Sequence, residues 1–247
     1  MSVIRDNALY PGRWPGLTLE YGFRAMDGNG GILGNAGPTG VNWDFYEGQY
    51  VEFAATGSMD FDIADIDTYT ESQWEEIVMH EIGHTIGMGT LWDNRFVNCV
   101  THEYLGNPIT GVNRARAMYL SMGGQSTDAP NGNVPPISPD CDHWDENKVD
   151  TELMTQYYDS SAPLSAMTAA AMEDLNYIVD YAYVQHFTMV RLLSDGTPAK
   201  KFNYPTIERL EPHRQIPRVV RVHNFKHVHE DHPNWGPQVG PHAGPHA

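Results

Sequence analysis

Basic residues are scarce in this 247-residue chain: 15 Lys and Arg stand against 32 Asp and Glu, a net charge of −17. Such a surface repels the phosphates of DNA and RNA, which argues against nonspecific nucleic-acid binding. Long apolar runs are also missing. No stretch approaches the ~20 residues of a membrane-crossing helix, so no membrane span is expected. The opening residues, Met1-Ser2-Val3-Ile4-Arg5-Asp6, lack the apolar stretch of a secretory signal. Cysteine is limited to Cys99 and Cys141, which leaves one bridge or two free thiols open.

What is present is a globular composition, 40% hydrophobic and 11% aromatic, long enough for one large domain with an appendage. The charge is unevenly placed. Residues 1–190 carry 27 acids and 7 bases (7 − 27 = −20), whereas residues 191–247 carry 5 acids and 8 bases (8 − 5 = +3) and 7 of the 12 histidines. This predicts an acidic domain over 1–183 and a mildly basic extension over 184–247. Within the extension, 187–193 and 216–222 are β-prone and Ser194-Asp195-Gly196 is a turn signal; the Pro-rich end reads as disordered. His223, His227, His229 and His232 are irregularly spaced, which fits a linker or a segment that docks to a partner better than a metal site.

The front half reads as strands. Residues 17–23 alternate apolar and other side chains, Asp27-Gly28-Asn29-Gly30-Gly31 is a turn, and small residues follow over 32–37. Residues 50–55 and 59–63 alternate again, so at least four strands are predicted before residue 67. Asp60, Asp62, Asp65 and Asp67 offer oxygens that suit calcium, but without the regular spacing of a calcium loop a solvated strand end is the plainer reading.

Thr70-Glu71-Ser72-Gln73 fits a capping box, and Trp74, Ile77, Val78 and Ile82 recur at helical spacing, predicting an amphipathic helix over 71–86 ended by Gly87 and Gly89. Inside it stands His80-Glu81-Ile82-Gly83-His84. Residues four apart on a helix are 400° apart in rotation and about 6 Å apart along the axis, so His80 and His84 face the same way and can share a metal. Glu81 lies one step round, within reach of a metal-bound water without being a ligand. A zinc hydrolase needs this: imidazoles hold the ion, the ion acidifies water, and a carboxylate takes the proton. From composition, chance would supply about 0.03 such matches in a chain of this length.

Gly87 extends the motif to His80-Glu81-x-x-His84-x-x-Gly87, the opening of the metzincin motif. The position at which a third histidine normally follows is Thr90, which cannot replace an imidazole. A later candidate stands in Cys141-Asp142-His143-Trp144-Asp145, followed by Glu152-Leu153-Met154-Thr155. With these residues the chain resembles the leishmanolysin-like metallopeptidases, in which an insertion separates the second and third zinc histidines. The resemblance spans roughly 17–183. It takes in the glycine-rich 30–37, Gly89-Thr90-Leu91-Trp92, and the stretch from Pro163 through Tyr177.

The resemblance implies an α+β, zincin-like fold: a twisted mixed sheet and active-site helix over an irregular and helical lower subdomain, with residues 91–142 as the insertion. It implies zinc held by His80, His84 and His143, Glu81 as the catalytic base, and Met154 in the turn beneath the site. Residues 30–37 would be the edge strand along which a protein or peptide substrate lies extended. It also implies an extracellular or cell-surface setting.

Other readings stay open on the residues themselves. Glu103 is a rival third ligand, although the stretch 100–107, with Gly106 and then Pro108, makes a poor helix. Some metzincins use a tyrosine in this region to bind zinc or to stabilise the oxyanion, a role for which the resemblance offers Tyr157 or Tyr158 but which ranks behind simple packing. A Cys99–Cys141 bridge would close a 43-residue loop (141 − 99 + 1) and steady the approach to His143. The alternative to a zinc endopeptidase is an inactive zincin-shaped attachment module of a larger assembly.

Overall fold

A computed structural model describes residues 4–7, 16–46, 49–185, 187 and 189 of the chain. The tail histidines, the run 216–222 and most of 187–193 lie outside the described residues. The molecule is α+β, with a small mixed sheet and few helices.

After β1 (Ile4–Asn7), the strands β2 (Thr18–Arg24), β3 (Gly34–Tyr46) and β4 (Gln49–Asp62) form a three-stranded sheet in the order β2-β4-β3. β2 runs parallel to the central β4 and β3 antiparallel to it, which leaves β3 at an edge. The two strands expected at 50–55 and 59–63 are one continuous strand. Its midpoint, Thr56-Gly57-Ser58, resembles a turn in composition but is paired on both sides, to β2 and to β3. Gly57 is small for another reason: a Cβ there would lie 2.9 Å from the Thr85 Cβ of the helix packed beneath. The irregularity appears instead on β3, whose register slips around Gly40.

The acids at the end of β4 serve the backbone. The Asp62 carboxylate accepts from the amides of Met26 (3.4 Å), Asp27 (3.2 Å), Gly28 (2.9 Å) and Ala64 (3.0 Å), and Asp65 accepts from Gly30 at 2.9 Å. Asp60 pairs with Arg24 at 3.1 Å. Asp62 and Asp65 pin the 26–30 turn, and among the described residues none of Asp60, Asp62, Asp65 and Asp67 is in a cluster with metal-ligand spacing.

Helix α1 (Glu71–Thr85) starts at the predicted capping box: the Gln73 amide donates to Thr70 Oγ1 (3.4 Å), while the Thr70 amide donates to Gln73 Oε1 (2.9 Å). Its upper face packs Ile77 against Met59 and Phe61 of β4, with Trp74, Val78 and Ile82 around them. The helix ends at Ile86, and Gly87 follows at φ +115°, a conformation that suits glycine alone.

The lower half has little regular structure. It contains β5 (Val97–Asn98), β6 (Glu103–Tyr104), α2 (Arg114–Ser121), α3 (Glu146–Val149), α4 (Ala166–Asp174) and β7 (Tyr177–Val179), the last pairing antiparallel with β1. A core centred on Trp144, Tyr104, Tyr119, Met122 and Met167 holds it together, and each of these five is fully buried. Residues 91–142 thus supply a large part of the core: the Trp92 and Tyr104 rings pack tilted or edge-on with Trp144 and with each other, at 4.9–5.3 Å between centroids. The packed unit also continues past Tyr183, since Phe187 and Met189 are buried in the same core and the Met189 amide donates to Met122 O at 3.1 Å. Among the described residues, no helix is long and apolar enough to cross a membrane.

Candidate metal centre

Helical spacing puts His80 and His84 on the lower face of α1, and the loop after residue 138 brings His143 up to them. His84 Nε2 lies 3.0 Å from His80 Nε2 and 3.0 Å from His143 Nε2. Three imidazole nitrogens thus converge on one point, close enough to share a metal ion. Each ring's other nitrogen is tied down: His80 Nδ1 to Leu153 O (2.6 Å), His84 Nδ1 to Met88 O (2.8 Å), and His143 Nδ1 to Asp140 Oδ2 (3.1 Å), with Asp142 Oδ1 a further charge neighbour at 2.9 Å that makes no hydrogen bond. Carbonyls and carboxylates only accept, so every Nδ1 carries a hydrogen and every Nε2 is the atom turned inward, presenting a lone pair wherever the ring is neutral.

The electrostatics follow from burial and from the crowding of the rings. Burial and the neighbouring His143 push His80 down to about 4, and His84 is held well below the usual range by burial and by both neighbours. Both are neutral imidazoles at pH 7, as a metal ligand must be. Burial alone would lower His143 too, but the neighbouring carboxylates of Asp140 and Asp142 outweigh that and raise it to about 9. Burial pushes the Glu81 carboxyl up to about 8, with His143 partly opposing.

Glu81 is buried between α1 and the sheet edge. A Cβ at Gly34 would stand 2.5 Å from Glu81 Oε1, so the first residue of β3 must be glycine for the carboxylate to occupy its place. A cleft of about 400 Å³ opens here, with residues 31–36 on one side, the three histidines and Glu81 at its base, and Leu153 and residues 156–159 on the other.

No protein-family model and no curated protein matches the chain. The reading of the site therefore rests on the geometry.

Met154 is fully buried against the helix: a Cβ at Gly83 would lie 2.6 Å from its sulfur. The segment that carries it is anchored by Glu152, which has no solvent exposure and whose anchoring role the motif around it did not reveal. One Glu152 oxygen accepts from the Met154 amide (2.7 Å), the other from the Ser165 amide (3.1 Å) and hydroxyl (2.6 Å) and from Thr168 Oγ1 (2.5 Å). Trp144 completes the link by donating its amide to Met154 O at 3.0 Å and its indole N–H to Thr168 at 2.9 Å. The residue after His143 and the methionine beneath the helix are thus hydrogen-bonded neighbours.

The rival third ligand lies elsewhere. Glu103 sits in a strand rather than a helix, and its carboxylate accepts from Thr101 Oγ1 (2.7 Å) and from the amide and side chain of Asn131 (2.7 and 2.8 Å). Thr90 lines the cleft but gives its hydroxyl to His84 O at 2.6 Å. Tyr158 donates to Glu76 at 2.9 Å, which together with burial pushes its phenol up to about 12, while Tyr157 is exposed at the cleft rim. Cys99 and Cys141 form a disulfide. Asp140 and Asp142 were missed in the sequence, although carboxylates one and three residues before a candidate ligand are a usable signal.

Proposed function

We propose that the chain is a zinc-dependent endopeptidase related to the leishmanolysin-like metzincins. The observation that carries the reading is the joint placement of three inward-facing Nε2 atoms and the buried Glu81 carboxylate at the base of an open cleft. Three imidazoles, the third neutral once His143 has given up its proton, are a donor set suited to zinc, and they leave a position open for water. Met154 packed under Gly83, and the sheet above α1 with β3 at its edge, support the metzincin relationship.

His80, His84 and His143 would hold the ion, which when bound would acidify a water and polarise the scissile carbonyl. The exposed edge of β3 offers main-chain groups to an extended peptide, and residues 31–36 bring that edge to the metal site. Glu81 takes the proton of the attacking water and delivers it to the leaving nitrogen. Burial raises the affinity of the Glu81 carboxylate for a proton, which makes it a stronger base than a solvated glutamate. A disulfide beside the site suits an oxidising, extracellular setting.

Replacing Glu81 with Gln tests the mechanism. The variant should bind one zinc per chain and lose at least about 100-fold in peptide hydrolysis. An active, purified E81Q protein would overturn the assignment, and a chain that binds zinc yet cuts no member of a peptide library would favour the attachment-module reading.

A further inference from the structure

The three histidines are not held alike. The Nδ1 partners of His80 and His84 are main-chain carbonyls, Leu153 O and Met88 O, which no side-chain substitution removes. His143 alone is oriented by side chains, Asp140 and Asp142, and it alone sits on a loop rather than on α1. That loop carries the disulfide between the two carboxylates: Cys141 separates Asp140 from Asp142 and is bonded to Cys99, next to β5.

The remaining contacts of the loop are few and local. Ser138 accepts the His143 amide on its hydroxyl (3.3 Å) and donates its own amide to His143 O (3.0 Å), and the Cys141 amide donates to Ser138 O at 3.0 Å. Ser138 Oγ also donates to Asp140. Gly89, at φ +75°, lies so near that a Cβ there would overlap the Asp142 main chain. Cys141 itself is at φ +74°, a conformation that a cysteine adopts only under local constraint. The covalent tie to Cys99 is the strongest connection between this loop and the rest of the fold.

We propose that Asp140 and Asp142 are positioning residues that hold the His143 imidazole with Nε2 toward the shared point, and that the Cys99–Cys141 disulfide keeps this pair in register, so that retention of zinc depends on the bridge. This rests on the zinc reading above. Asp140 fixes the tautomer of the neutral ring: with Nδ1–H donated to it, the lone pair can only be on Nε2, and Asp142, whose Oδ1 lies 2.9 Å from Nδ1 without a hydrogen bond, adds its charge on the same side. Without acceptors, the ring is free to rotate or to carry its hydrogen on Nε2, and the site falls from three ready ligands to two. Breaking the disulfide frees both carboxylates at once, because they flank the bonded cysteine.

The test is a chelator competition for zinc at a pH of about 9.5, where a proton on His143 no longer competes in any variant, using the full chain, the double variant Asp140→Ala/Asp142→Ala, its counterpart Asp140→Asn/Asp142→Asn, and Cys99→Ser/Cys141→Ser. The serine pair is preferred to chemical reduction, because freed thiols would themselves bind zinc. The alanine pair and the serine pair should each weaken zinc binding about 10- to 100-fold. The asparagine pair, which keeps a carbonyl acceptor without the charge, should recover most of that loss. A cobalt-substituted sample gives an independent readout: the visible absorption of the tetrahedral ion should change in the alanine and serine pairs and be restored in the asparagine pair. Far-ultraviolet circular dichroism of the metal-free proteins separates this from unfolding. Native affinity and an unchanged cobalt spectrum in the alanine pair would overturn the positioning role, and the same result in a folded serine pair would overturn the role of the bridge. Zinc that binds natively without peptide hydrolysis would remove the protease reading and leave this inference standing. A native chain that binds no zinc would remove both.

Discussion

The sulfur of Met154 lies directly under Gly83, in the last turn of the helix that carries His80 and His84, so close that a single added methyl group would stand 2.6 Å from it. Gly83 is buried and lies one residue before His84. A glycine inside a helix normally costs about 1 kcal/mol relative to alanine. Here the gap it leaves is filled by the methionine, which brings the 152–155 segment, and with it Leu153 O, against the site.

Gly83→Ala is therefore expected to destabilise the protein by about 1–3 kcal/mol despite the better helix propensity of alanine, because overpacking outweighs it. A thermal melt of the metal-free protein checks the sign. A rise in Tm would show that Met154 can move aside without cost.

At Gly34 the neighbour is the flexible end of Glu81 rather than a packed core. Gly34→Ala should leave stability within about 1 kcal/mol and zinc stoichiometry at one per chain, since the carboxylate can swing away. Peptide hydrolysis should nonetheless fall by on the order of 100-fold, as expected for a base displaced by about 1 Å. Unchanged kcat together with unchanged zinc content would dissociate Glu81 placement from turnover.

Zinc affinity should rise with pH. At pH 7 His80 and His84 are already neutral, whereas His143, raised to about 9, must lose its proton to bind metal. One proton is displaced per ion, so affinity should climb about tenfold per pH unit below pH 9 and level off above it. Calorimetry in buffers of different ionisation enthalpy counts that proton directly. For the metal-free protein the sign is opposite: the raised His143 pKa contributes stability that is fully present below 6.5 and is lost as pH climbs through about 9.

Glu103→Ala should damage the fold rather than the site. It strips the acceptor from Thr101 and Asn131 in a buried position, at a cost of about 3 kcal/mol. Saturated with zinc, the variant should still hold one ion per chain, whereas His143→Ala should drop below that. Zinc lost from Glu103→Ala and kept in His143→Ala would make Glu103 the third ligand.

What could be read directly from the sequence was local. The capping box at Thr70, the length of α1 and the shared face of His80 and His84 all follow from a 3.6-residue period within sixteen residues, and no distant contact is needed to set them. The alternation in β2 and β4 is local in the same sense. The continuity of β4 across Thr56-Gly57-Ser58 is not, because pairing to β2 and β3 overrides a composition that looks like a turn. Tertiary structure alone brought His143 to a point 3.0 Å from a histidine 59 residues earlier, set Glu103 apart on Asn131, and joined Cys99 to Cys141. Those outcomes depend on how Trp92, Tyr104 and Trp144 pack residues 91–142 into the lower core, and a packing that closes loops of forty to sixty residues leaves no periodic trace in the chain.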